Sequence, residues 1–201
     1  RPRAAAVAGH TGDVDLARRL LADDVPAVRA TALAALARAG DVRPHEVAAL
    51  LADRDAGVRA RAVEVVAAAG RGPDGCSLLA LLADPEAEVV EVAAWACGEC
   101  LPPEPGAVEA LAGLATGHPD ALVREAAVAA LGAVGDPAGL PAILAATHDK
   151  ATVRRRAVLA LAPFDGPQVD EALDRAEADR DWQGPPGAAG LGRGADNRPR
   201  G

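Results

Sequence analysis

The chain has 201 residues, half of them apolar, a formal net charge of −8, and only two Trp and one Phe as aromatic residues. A core of Ala, Leu and Val follows, built from helices that approach closely because their side chains are small. The acidic balance argues against a surface that tracks phosphates, since nucleic-acid affinity rests on a basic footprint, and with no run of 18 apolar residues there is no candidate for a helical membrane span.

The N-terminal stretch enters a helix-like run at Arg3-Ala4-Ala5-Ala6-Val7 without a starting Met, which is the expectation for a piece whose N-terminal part lies upstream. From Ala27 onward one phrase returns: Val28-Arg29, Val58-Arg59, Val123-Arg124 and Val153-Arg154, with Val89-Val90 as a degenerate copy. Its valines are spaced 30, 31, 34 and 30 residues apart. A fixed period in this range signals stacked supersecondary units in place of one globular core. Within each unit a first helix is expected to end at Leu20-Leu21-Ala22-Asp23, Leu50-Leu51-Ala52-Asp53 or Leu81-Leu82-Ala83-Asp84. A loop Asp follows (Asp24, Asp55, Asp84, Asp120, Asp149), placed to cap the Val-Arg helix through its free N–H groups and to match its positive dipole end. The second helix stops at Gly40, Gly70 or Gly135, where a residue without Cβ takes the left-handed cap. Each unit therefore reads helix, loop, helix, turn.

Counting from the valine, offset +4 is Ala in all five copies (Ala32, Ala62, Ala93, Ala127, Ala157) and +8 is Leu36, Val66, Cys97, Leu131 and Leu161. At 100° per residue, offsets 0, +4, +7, +8 and +11 fall on one side and are assigned to the core, which leaves +2, +6 and +10 as the exposed stripe.

This phrase, with Asp in the loop, Val-Arg opening the second helix and Ala at +4, resembles the short HEAT repeats of the phycobilisome-lyase type over about residues 2 to 183. The resemblance implies an all-α, right-handed α-solenoid of about five full helix pairs with incomplete ends. It also implies that the second helices line a concave surface. A stacked polar ladder is implied in which Asp24, Asp55, Asp120 and Asp149 neighbour Arg29, Arg59, Arg124 and Arg154, with a gap where Val90 replaces the Arg. For activity it implies a binding scaffold; the residues themselves offer no cofactor, metal or catalytic set, and three Cys without a signal peptide set the expectation of the cytoplasm. The alternative it leaves open is an auxiliary or catalytic subunit of a HEAT-like lyase or hydroxylase.

The exposed stripe is where a partner would bind. It reads Ala30, Ala34, Arg38; Ala60, Glu64, Ala68; Glu91, Trp95, Glu99; Glu125, Ala129, Ala133; Arg155, Leu159, Pro163. Its middle places an indole, Trp95, between Glu91 and Glu99, with Glu64 and Glu125 on the flanking helices. Large aromatics dominate binding hot spots because they bury much area with few torsions. The opposing reading is a Trp folded over small Ala neighbours beside glutamates that merely solvate a helix. The expected partner of the docking site is a protein segment that is basic and partly apolar.

Other motifs carry less. Cys97-Gly98-Glu99-Cys100 has CxxC spacing, but its cysteines sit at +8 and +11, where a thiol fills a core; a zinc site needs four ligands and only one such pair exists. Three Cys, an odd number, fit a reducing compartment. HEAT-like hydroxylases bind two irons through several His-Glu pairs, and here there is one, His45-Glu46. HEAT-like DNA glycosylases present a basic concave surface with aromatics, which this acidic stripe does not match.

The repeat is expected to occupy residues 1–183. Asp179-Arg180-Asp181-Trp182-Gln183 keeps the register of Asp53-Arg54-Asp55-Ala56-Gly57, after which residues 184–201 turn Gly- and Pro-rich and are expected to be a disordered tail. A shift of reading frame at Gly184-Pro185-Pro186-Gly187, whose codons moved by one base can encode Val-Arg-Gln-Ala, is a second explanation of that end.

Overall fold

Ten α-helices and two short 3₁₀ turns, with no strand among the described residues, account for the computed structural model, which describes residues 13–70 and 77–178. The helices are α1 (Val14–Leu20), α2 (Pro26–Ala39), α3 (Pro44–Leu51), α4 (Ala56–Ala68), α5 (Ala87–Glu99), α6 (Ala107–Gly117), α7 (Ala121–Val134), α8 (Leu140–Ala146), α9 (Ala151–Ala160) and α10 (Pro167–Ala178). The Val-Arg helices α2, α4, α5, α7 and α9 pack in sequence against one another, each with a first-helix partner on the other side, so the fold is a two-layered α-solenoid. Among the described residues there are four pairs of α-helices and one pair whose first element is a 3₁₀ turn, followed by α10. The third pair departs from the expected plan: its first element is the 3₁₀ turn Leu79–Ala83. The stretch before it carries Pro73 and glycines at 70, 72 and 75, residues of the poorest helix propensity. The proposed tail and frame shift at 184–201 lie outside the described residues.

The periodicity predicts the core well at some offsets and incompletely at others. Every +4 alanine is fully buried, and every +8 residue is buried. Offset +5, assigned to neither face, is buried in all five copies as Leu33, Val63, Ala94, Val128 and Val158. Offset +11 is not core: Ala39 and Ala69 are exposed, and Cys100 and Val134 are half-buried. The reason is that each second helix is flanked by the helices before and after it as well as by its own partner. Its buried arc is therefore wider than one amphipathic stripe, while +11 falls at the fraying last turn.

Two different aspartates do the work assigned to one. Asp55 and Asp120 cap their helices, accepting from Val58 N at 3.2 Å and Leu122 N at 2.8 Å. The N-cap residues of α2, α5 and α9 are Val25, Glu86 and Lys150, none with a side-chain cap bond, so Asp24, Asp84 and Asp149 are not the caps expected of them. Gly40 and Gly135 take the left-handed cap as expected, each at φ 67°.

The ladder is shifted by one unit from the implied pairing. Arg29 forks onto Asp53 (Nε–Oδ2 2.8 Å, Nη2–Oδ1 2.6 Å), Arg59 onto Asp84 (2.7 and 2.7 Å) and Arg124 onto Asp149 (2.6 and 2.9 Å). Each Arg therefore holds the carboxylate of the next unit while donating from Nη1 to a carbonyl of its own loop, Asp23, Asp53 or His118. Arg154 repeats the second half of this pattern, donating to the Asp149 carbonyl at 3.1 Å. Bidentate Arg–carboxylate pairs are both strong and orienting, so these rungs tie each second helix to the loop of the next unit. Burial raises the Asp53 carboxyl, but the bonds from Arg29 and from the Asp55 amide outweigh it and leave the group below its ordinary range. Asp84 and Asp149 are lowered chiefly by Arg59 and Arg124.

The expected gap is present between the third and fourth pairs, where Val90 is buried in place of an Arg. His118 occupies the matching acceptor position and keeps only the local half of the motif: its Nδ1 accepts from Asp120 N at 3.1 Å, as Asp53 Oδ1 accepts from Asp55 N at 2.9 Å. Glycine allows close helix approach at this junction and at the next. A Cβ on Gly98 would sit 2.9 Å from Ala130 Cα, and one on Gly132 would sit 2.7 Å from Ala160 Cα. Helices α5, α7 and α9 thus meet backbone to backbone.

Candidate functional site

The stripe at +2, +6 and +10 is exposed or half-buried along the stack except at Ala60, which is buried against its neighbours. Its exposed large hydrophobic side chains are Trp95, 43% accessible, and Leu159, 54% accessible. A Trp at +6 of α5 stays out of the core because the contact surface of that helix is already filled by Ala93, Ala94, Ala96 and Cys97. Glu91 and Glu99 lie one turn to either side of it on the same helix face. Leu159, two second helices further on at the same offset, was not assigned to the site from sequence. The signal was its +6 position, with Ala129 at that offset on the helix between; the structure adds that Leu159 is exposed.

The four glutamates differ in state. Glu64 pairs with Arg61 on its own helix, and Glu125 pairs with Arg156 of α9 at 3.3 Å. The stripe is therefore less acidic at its flanks than the sequence implied, because each of those carboxylates already has a cation. Glu91 is half-buried, and its carboxyl is raised first by burial and then by the carboxylates of Asp120, Glu125 and Glu88. Glu91, one turn from Trp95, is thus surrounded by further carboxylates, of which Glu125 is paired with Arg156.

The remaining motifs resolve into structural roles. Burial pushes the Cys97 thiol up to about 12, so it is not a thiolate nucleophile. Cys100, expected in the core, is half-buried at the end of α5, its Sγ 4.0 Å from the Val66 carbonyl, and its pKa is raised as well. Cys76 lies outside the described residues. Gly98, between these cysteines, is the close-contact glycine of the α5–α7 junction. Glu46 of the His45-Glu46 pair is buried and engaged, accepting from Arg18 Nε at 2.6 Å and from Arg43 N at 3.0 Å. Among the described residues no group of three or more His, Cys, Asp or Glu could hold a metal ion, and no helix is long and apolar enough to cross a membrane.

Comparison with known proteins agrees on architecture. Residues 76–162 match the family model for HEAT repeats. The crystal structure of an engineered protein, a target of the Northeast Structural Genomics Consortium, superposes with a TM-score of 0.55 at 22% identity, covering 83% of this chain and 85% of its own. That likeness concerns the fold alone. No curated protein matches the chain.

Proposed function

We propose, from the premise that this α-solenoid is built of HEAT repeats, that the chain is a protein-interaction scaffold without an enzymatic activity of its own. Its docking site is the second-helix stripe around Trp95, with Glu64, Glu91, Glu99 and Glu125, which would form the inner, concave wall of the stack. The partner offers a basic, partly apolar segment, and the setting is the cytoplasm. The observation that carries this reading is the accessible indole at the middle of the stripe, in a chain with few aromatic residues to spend. Electrostatics would chiefly speed encounter, while burial of the indole would govern release.

The test is capture of partners by the intact protein and by two single variants. Trp95→Ala should lose the partner, with a cost of about 2 kcal/mol or more once an affinity can be measured. Leu122→Ala removes an exposed apolar side chain outside the stripe and should retain it. Reversal of charge at Glu91 and Glu99 should lower the association rate and flatten its salt dependence. Equal binding by wild type and Trp95→Ala would reject the site.

A further inference from the structure

The geometry points to an arginine side chain of the partner, stacked flat on the indole of Trp95 with its guanidinium turned toward Glu91, as the anchor of the docking stripe. This deepens the docking reading above and rests on it. Three observations converge. The Trp95 side chain is exposed, and a planar cation is attracted to an indole by the ring quadrupole. Glu91 stands one turn away on the same face, where an Arg fork over the ring reaches its carboxylate. The arginines beside the flanking glutamates are engaged with them, Arg61 with Glu64 and Arg156 with Glu125, and the stripe's own arginines, Arg38 and Arg155, stand on other helices than Trp95. The electrostatic neighbours that perturb Glu91 are all acidic. A cation arriving at Trp95 thus relieves a repulsion that the folded chain leaves in place. Arginine suits the site better than lysine because the guanidinium is planar and weakly hydrated, so it can stack and pair at once, whereas an ammonium must choose between ring and carboxylate. Glu99, a turn beyond the indole, then meets a second basic residue of the same segment.

The test uses the full chain carrying Trp182→Phe, which leaves Trp95 as the sole indole. The probes are two peptides of equal length and charge, one of three Gly-Arg-Leu repeats and one of three Gly-Lys-Leu repeats. Binding is read from Trp95 fluorescence and calorimetry at physiological salt. The arginine peptide should bind at least about fivefold more tightly than the lysine peptide. Trp95→Leu, which keeps apolar bulk but removes the ring, should bring the two affinities together; calorimetry reads this variant, and its helical circular dichroism should match wild type. Glu91→Gln should weaken the arginine peptide more than Glu99→Gln does. Equal affinity of both peptides, each lost on Trp95→Leu, would overturn the choice of arginine and leave the docking stripe standing. Absence of Trp95-dependent binding by either peptide would overturn both. An arginine preference that survives Glu91→Gln unchanged would overturn the assigned pairing.

Discussion

The junction between the third and fourth helix pairs is held by different means from those on either side of it. Between pairs one and two, two and three, and four and five, a part-buried Arg–Asp fork ties each second helix to the next loop. Between pairs three and four both members of the fork are replaced, Arg by Val90 and Asp by His118, and Gly98 lets α5 lie against the backbone of α7. Both partners are missing together, and the physics explains why that is tolerated. A fork lost from one side leaves a buried charge unpaired, whereas replacement of both by uncharged groups is close to neutral. The polar ladder and the close glycine contact are therefore two means of joining successive pairs. The fourth junction uses both, adding Gly132 against Ala160.

That comparison can be broken most sharply at a rung. Arg59→Met leaves the carboxylate of Asp84, 5% accessible, without its partner, and should cost about 3 kcal/mol in urea unfolding. Adding Asp84→Leu to it should recover most of the loss. If the single and double variants are equally unstable, the fork is not what the Arg contributes. At the rungless junction the glycine should take over this sensitivity. Gly98→Ala should destabilise by about 1 to 3 kcal/mol because its Cβ meets backbone. Gly113→Ala, at an open helical position, should instead stabilise by up to about 1 kcal/mol. Effects of the same sign at both sites would remove close packing as the cause.

Installing the missing rung sharpens the comparison. Val90→Arg alone buries a charge and should destabilise. Combined with His118→Asp it should show a favourable coupling of about 1 kcal/mol or more in a double-variant cycle. Additive effects would mean that the helix spacing set by Gly98 leaves no room for a fork.

The smallest effect per site is in acid. Asp53, Asp84 and Asp149 titrate below their ordinary values, so each adds stability that is complete above the usual carboxylate range near pH 4 and is lost as pH falls through the lowered folded-state value. Unfolding midpoints should drop as pH is taken below about 4, and the drop should shrink when any of these is changed to Asn. Glu91 has the opposite sign, its carboxyl raised, so its ionisation disfavours the fold above that raised value. Glu91→Gln should leave neutral-pH stability equal or higher, by about 0.5 kcal/mol at most. Destabilisation there would assign Glu91 a structural partner.

The sequence by itself determined the architecture. A phrase recurring at a near-constant interval, with Ala at +4, Gly after the second helix and small residues throughout, permits few arrangements besides stacked helix pairs, because each pair can bury its apolar face only on its neighbours. The exposed stripe and the gap at Val90 were legible for the same reason, since they follow from helical phase. The tertiary structure alone decided which Asp each Arg holds, because the rung crosses from one unit to the next and no local spacing encodes that step. It alone decided that +5 is core, that Gly98 serves a helix contact, and that Glu125 is already paired while Glu91 is crowded by carboxylates. Each of these depends on distances between residues far apart in the chain, which a period can place in the same layer but cannot measure.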